Sequence, residues 1–224
     1  PPSTCATCDE FYDNTASLTF SCNGGSITQT IEKDRYRMVK AMSGSSANIG
    51  ACTVAAPSGS WTATTRISQF LPVSFAQCGL IAIRTGTQAT PTAISACLQY
   101  QNGSGAALTG THSTYTSYTG GGATVGTSRQ LAGTASATVW NQLRYDASAD
   151  TIGCYVSFDG VVWFPNGTTS GTDYSVQNET GVTADPPYVG FYIDDAAAFA
   201  SPDIVCDYEM LRVRTDADRN HASD

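Results

Sequence analysis

The sequence predicts an all-β protein, and three observations carry that expectation. Apolar and polar residues alternate with period two along most of the chain, while no long window keeps the i, i+3, i+4, i+7 spacing of an amphipathic helix. The alternating stretches are short and bounded by Gly, Pro, Asn, Asp or Ser, the pattern of sandwiches and barrels. Charged residues make up only 13% of the chain, against about 25% in an average soluble domain. Ser, Thr, Gly, Ala and Asn fill the deficit, so helices with solvated charged faces are expected to be few.

The expected strands are TQTIEKDRYRMVKA (28–41), SWTATTRIS (60–68), CGLIAIRTG (78–86), AISACLQYQN (93–102), VWNQLRYDA (139–147), TIGCYVSF (151–158), VVWF (161–164), PYVGFYID (187–194) and CDYEMLRVR (206–214). In the first, Arg35 and Arg37 share one face and Tyr36 and Met38 the other. Glu32 and Asp34 dilute that basic stripe, which therefore reads as a solvated strand face. Residues 103–128 are rich in Gly, Ser and Thr and weakly periodic, so they read as a long loop or an edge hairpin. Tyr115 and Tyr118 lie there, either as a stacking surface for a sugar or partner chain or as exposed strand tyrosines.

Further on, Trp140, Leu143 and Tyr145 sit in a strand that residues 146–150 turn back into Thr151. Asp159-Gly160 then reads as a two-residue hairpin turn, with positive φ at both positions, completing a three-stranded meander. Trp163 is expected to cover the core or its rim. A sialidase-type Asp-box, Ser-x-Asp-x-Gly-x-Thr-Trp, fits poorly. Here Gly160 directly follows Asp159, the Thr is absent and there is one copy. Segment 195–203 reads as a connection, and the chain divides into an arm (1–8), a sandwich (9–214) and a tail (215–224).

The order Asp9-Glu10-Phe11, Trp61-Thr-Ala-Thr-Thr-Arg-Ile67, Cys78-Gly-Leu-Ile-Ala-Ile-Arg84, Trp140-Asn-Gln-Leu-Arg144, Tyr155-Val-Ser-Phe-Asp-Gly-Val-Val-Trp163, Tyr188-Val-Gly-Phe-Tyr192 and Asp207-Tyr-Glu-Met-Leu-Arg-Val213 resembles concanavalin A-like (laminin G/glucanase-type) jelly-roll domains. The resemblance covers roughly residues 9–214 and implies a two-sheet antiparallel jelly-roll sandwich, a pattern frequent among bacteriophage virion components. Glucanase members carry Glu-x-Asp-x-x-Glu on one strand, supplying two carboxyl groups about 5 to 5.5 Å apart for retaining hydrolysis. None of Glu10, Glu32, Glu179 and Glu209 has that spacing, and Asp207 with Glu209 lacks a third carboxylate. A non-enzymatic protein is expected.

Other chemistries find little footing. His112 and His221 are the only histidines, which argues against a His-based triad or a multi-histidine metal site. No phosphate-cradling Gly-x-x-x-x-Gly-Lys-Ser/Thr loop occurs. A net charge of −8 argues against nucleic acid, and no apolar run suits membrane insertion. The eight cysteines are an even set. Cys78 and Cys97 would face each other across a hairpin around Gly86, as a disulfide or as two buried thiols. Cys5-x-x-Cys8 suits a local disulfide, free thiols or a site completed by another chain. Asp194, Asp195 and Asp203 surround one loop that is either a solvated acidic loop or a Ca²⁺ site.

The start Pro1-Pro2-Ser3 shows no signal sequence; removal of a signal or of an initiator Met would both leave it. The expected function is a structural or adhesive virion protein of a bacteriophage, in capsid decoration or tail, with other virion subunits, further copies of itself and a host surface glycan as partners. The alternative is a secreted carbohydrate-binding module or degenerate glycoside hydrolase. Tyr115, Tyr118 and Trp163 are the candidate ligand contacts, and no cofactor beyond Ca²⁺ is expected.

Overall fold

The computed structural model describes residues 7–11, 18–32, 34–41, 48–71, 75–102, 107–132, 137–166, 179–180, 185–195 and 203–215. Their strands are β1 (Thr7–Asp9), β2 (Ser21–Gly24), β3 (Ile27–Ile31), β4 (Tyr36–Lys40), β5 (Gly50–Ala55), β6 (Trp61–Phe70), β7 (Ala76–Gly86), β8 (Pro91–Asn102), β9 (Ala107–Tyr115), β10 (Ala123–Thr124), β11 (Arg129–Ala132), β12 (Thr138–Asp146), β13 (Thr151–Ser157), β14 (Phe164–Pro165), β15 (Glu179–Thr180), β16 (Tyr188–Asp195), β17 (Ile204–Tyr208) and β18 (Leu211–Thr215). No helix occurs among the described residues.

The strands form two antiparallel sheets. The ten-stranded sheet runs β14-β13-β12-β6-β17-β4-β3, with β18 also on β6, β1 on β18 and β15 on β13. The eight-stranded sheet runs β10-β9-β8-β7-β16-β5-β2, with β11 also on β9. Alternation explains the packing. Trp61, Ala63 and Ile67 of β6, Val139 and Leu143 of β12, and Cys206 and Tyr208 of β17 are buried between the sheets. They meet Cys78, Leu80 and Ala82 of β7 and Phe191 of β16. An aromatic cluster anchors this core, with Phe191 stacked on Tyr208 at 4.2 Å and on Phe20 at 5.3 Å.

A second apolar cluster lies on the other face of the eight-stranded sheet, where Ile81, Ile83, Ile94, Ala96 and Leu98 pack with Tyr115, Tyr118 and Tyr192. Both faces of β7 are thus covered, which explains why Ala76–Ile83 is buried without a break.

Several sequence expectations need correction. Residues 28–41 form two strands, separated where the Glu32 N–H donates to the Arg35 carbonyl and Asp34 takes φ +63°. Residues 206–214 likewise break at Glu209 and Met210, between β17 and β18. The segment 103–128 holds β9, a nine-residue strand paired with β8 and carrying β10 and β11 on its other edge, which matches the edge-hairpin alternative. The expected boundary between arm and sandwich falls inside β1, whose Thr7 and Cys8 pair with Val213 and Arg212.

The Cys78–Cys97 pairing is overturned. Register shifts beside Gly86 place Cys78 opposite Gln99 and Cys97 opposite Leu80. Both sulfurs point across the sandwich, Cys78 bonding Cys206 of β17 and Cys97 bonding Cys154 of β13. Cys22 bonds Cys52, directly opposite it in the same sheet. Cys8 is disulfide-bonded too, while Cys5 lies outside the described residues. The Cys78–Cys206 bond encloses 128 residues of separation, which in a chain-entropy account stabilises the fold by about 4 to 5 kcal/mol.

Candidate functional site

β12, β6 and β18 lie side by side in a register that sets Thr62 opposite Arg144 and Arg214, and Thr64 opposite Gln142 and Arg212. Ala63, Leu143 and Val213 point into the core, so these alternate residues share the outer face of the ten-stranded sheet. Trp140 joins them one row away, opposite Arg66 and Ser157.

The β13–β14 connection rises beside this platform. It is not the two-residue hairpin expected from Asp159-Gly160: Val156 pairs with Phe164, and the turn spans the residues between them. Side chains brace it instead. The Ser157 hydroxyl accepts the Asp159 and Gly160 N–H groups at 3.3 and 2.9 Å and donates to Asp159 Oδ1 at 2.9 Å. That oxygen also accepts the Val161 and Val162 N–H groups at 2.8 and 2.9 Å. Those two N–H groups, with the Ser157 hydroxyl, hold the Asp159 carboxyl below its usual range. Only Gly160 has positive φ, +76°. A Cβ there would stand 2.9 Å from Cε2 of Trp140, so the glycine lets the turn lie flat on the indole.

A groove of about 290 Å³ opens between turn and sheet, lined by Trp140 and Trp163 with Gln142, Thr62, Thr64, Arg212 and Arg214. Most nearby cations are engaged. Arg66 pairs with Glu209 and Arg212 with Glu10. Arg144 lies 3.9 Å over the Tyr155 ring and donates to Gln142. Arg214 lines the groove beside them. Two indole faces, an amide, hydroxyls and a guanidinium suit a polyhydroxylated ring, which can stack on aromatic carbon and hydrogen-bond at its edge. Asp159 is the one carboxylate among the lining residues, and its own turn occupies it, so the paired carboxyls of glycoside hydrolysis are not assembled in this groove.

The other sheet bears a groove of about 300 Å³ at the end of its tyrosine cluster, lined in part by Phe75, Tyr100, Gln77, Ser113, Tyr115 and Asp194. Phe75 stacks on Tyr100 at 5.9 Å. Beneath it, Tyr192 donates to Gln77 Oε1 at 2.7 Å and to Asp194 Oδ2 at 3.2 Å, and its oxygen lies 2.9 Å from the Tyr115 hydroxyl. Burial pushes the Asp194 carboxyl up to about 6 and the Tyr115 phenol up to about 12.

Of the residues singled out from sequence, Trp163 lines the first groove. Tyr115 and Tyr118 are only 6% and 7% exposed and pack in the second apolar cluster, Tyr115 also lining the second groove. The Tyr118 hydroxyl donates to the Gln88 carbonyl at 2.5 Å. The acidic trio is dispersed. Asp194 and Asp195 are buried on opposite sides of β16, and Asp203 is exposed. Asp194 Oδ1 accepts the N–H groups of Asn48 and Asp195, while Asp195 pairs with Lys40. No group of three His, Cys, Asp or Glu suited to a metal occurs among the described residues. Arg35 and Arg37 both reach Asp207, at 3.1 and 2.7 Å. Burial pushes the Asp207 carboxyl up, but the bonds and charges of Arg37 and Arg35 outweigh that and leave it below its ordinary value.

Sequence reasoning missed Trp140, Gln142, Arg212 and Arg214 as one site. Same-face spacing within two expected strands was a usable signal; their adjacency through β6 was not.

No family model matches the chain, and no curated protein matches it in sequence. Solved structures do resemble it. A GH43 protein from Bacillus licheniformis superposes with a TM-score of 0.63 at 12% identity, covering 92% of this chain and 38% of that one. Xylan β-1,4-xylosidase from Bacillus halodurans C-125 gives 0.62 at 13% identity, covering 96% and 39%. A Lotus tetragonolobus seed lectin gives 0.55 at 10% identity, covering 93% and 96%. The chain therefore spans well under half the length of these hydrolases and nearly the whole lectin. At such identities the likeness is one of fold, the antiparallel jelly-roll sandwich of the concanavalin A-like type.

Proposed function

We propose that this chain is a non-enzymatic glycan-binding module that holds its ligand in the Trp140–Trp163 groove. The carrying observation is that two half-buried tryptophans, Gln142, two threonines and Arg214 converge on one open cleft of a rigid sheet. The lectin and hydrolase neighbours support the reading because the same sandwich serves proteins named for carbohydrate chemistry. Three described disulfides fit an oxidising, extracellular setting.

Within that reading the module is adhesive. It is carried on a bacteriophage particle, where the chain before β1 and after β18 joins it to other subunits or copies and the groove meets a host surface glycan, with no metal required. A secreted binding module is the alternative carrier, and finding the protein outside assembled particles and never in them selects it. The binding claim is tested by probing an oligosaccharide array with the full chain beside Trp140→Ala and Trp163→Ala. Binding that both variants lose supports the assignment, and binding that both retain refutes it.

A further inference from the structure

Lys40 closes β4 with its side chain wholly buried. Fully buried lysines are rare unless paired, and the Lys40 amine has an uncommon setting. Its Nζ lies 3.6 Å from Oδ1 of Asp195, itself wholly buried, and makes no hydrogen bond. A third group completes the cluster. A Cβ added to Gly25 would stand 2.5 Å from both Lys40 Nζ and Asn48 Oδ1, so those two atoms lie within twice that distance of each other. A wholly buried amine, a wholly buried carboxyl group and a half-buried carboxamide thus come together around space that a glycine keeps open.

We propose that Lys40 and Asn48 become joined by an intramolecular isopeptide bond, with Asp195 as the proton-transfer group. The Lys40 ammonium hands a proton to the Asp195 carboxylate, leaving a neutral amine and a carboxylic acid. Nζ attacks Cγ of Asn48 while the acid protonates the amide oxygen, giving a tetrahedral intermediate. On collapse the bond from Cγ to the amide nitrogen breaks. That nitrogen takes a proton from the former amine through Asp195 and leaves as ammonia, and Asp195 ends as the neutral acid. Nothing is oxidised or reduced, and no co-reactant is needed. Holding the groups together supplies the proximity that free amides and amines lack, and the product removes a charge pair whose burial is costly. Condensation with Asp195 instead would consume the proton carrier, since its neighbour Asp194 faces the other side of the strand and is taken by the Asn48 N–H and the Tyr192 hydroxyl.

The bond would sit where the chain crosses from β4 in one sheet to β5 in the other. It would add a covalent tie between the sheets beside Cys78–Cys206 and Cys97–Cys154.

The test is the intact mass of the full-length, reduced protein. The expected value is the sequence mass less one ammonia. Trypsin is then expected to spare Lys40, leaving the loss within the peptide from Met38 to Arg66. Lys40→Arg keeps a cation at the site and must restore the full mass; Asn48→Leu must do the same. A wild-type mass equal to that of the sequence overturns the proposal whether or not the variants fold. So does a loss of water that links Lys40 to the peptide containing Asp195.

Discussion

The outer faces of the two sheets are built on the same period-two alternation and end in opposite states. On the ten-stranded sheet, β12, β6 and β18 send out Trp140, Gln142, Thr64 and Arg214, and the face stays open as a polar groove walled by the Ser157–Trp163 turn. On the eight-stranded sheet, the outward residues are Ile81, Ile83, Ile94, Ala96 and Leu98, packed with Tyr115, Tyr118 and Tyr192 as a second core. Aromatic residues are plentiful on both. What separates a binding surface from a packing surface is whether the neighbours of each ring are apolar and close over it or polar and leave it reachable.

The strongest way to break this contrast is to cut into the packed tyrosine cluster. Tyr192→Ala removes a wholly buried ring and strips Gln77 and Asp194 of a hydrogen-bond partner. It should cost about 3 to 5 kcal/mol in chemical denaturation, as large aromatic truncations do, while the folded fraction keeps its glycan affinity. A loss below about 1 kcal/mol would show that this face is no core.

The open face should respond the other way. Trp140→Ala is expected to weaken glycan binding by about 2 kcal/mol, roughly 30-fold in Kd, the loss typical of a central aromatic contact. Its unfolding free energy should move by no more than about 1 kcal/mol. Gly160→Val links the two properties, because valine must both adopt positive φ and displace the Trp140 ring. It should lower stability by about 1 to 3 kcal/mol and reduce affinity as the turn lifts.

The last contrast is in acid, where the two faces should differ in sign. Asp194, in the tyrosine cluster, has its carboxyl raised from 3.8 to about 6. Its contribution is present below the unfolded value and lost as pH rises through about 6, so acidifying from pH 6 towards 4 should stabilise the protein, and Asp194→Asn should flatten that rise. Asp207, held below 3.8 by Arg37 and Arg35, contributes above the unfolded value and loses its contribution as pH falls through its lowered one. Arg37→Gln should therefore shrink the loss of stability at still lower pH. Thermal unfolding across acidic buffers measures both slopes.

Much of this architecture could be read from the chain. Alternation placed β6, β7, β8, β12, β13 and β16 within a few residues, because each has a face that must be buried. It placed the open groove less well, since Trp140 and Arg214 meet only through the register of β6 against two strands distant in sequence. Asp159-Gly160 signalled a turn, but not that Ser157 and Asp159 would hold its N–H groups and lengthen it. Tyr115, at the end of β9, and Tyr118, just beyond it, read as exposed because their burial depends on what packs over them, a tertiary fact that local polarity does not carry. The disulfide Cys78–Cys206 was hidden for the same reason: its halves lie in different sheets.

The central claim is that ligand rests on the open tryptophan face, and oxidative footprinting tests it directly. The chain has three tryptophans, of which Trp61 is wholly buried and serves as an internal reference. With the tightest-binding oligosaccharide from the array present at saturation, mass spectrometry after mild indole oxidation should show Trp140 and Trp163 both protected and Trp61 unchanged. Saturating ligand that leaves Trp140 and Trp163 oxidising at the rates of the free protein would contradict the account.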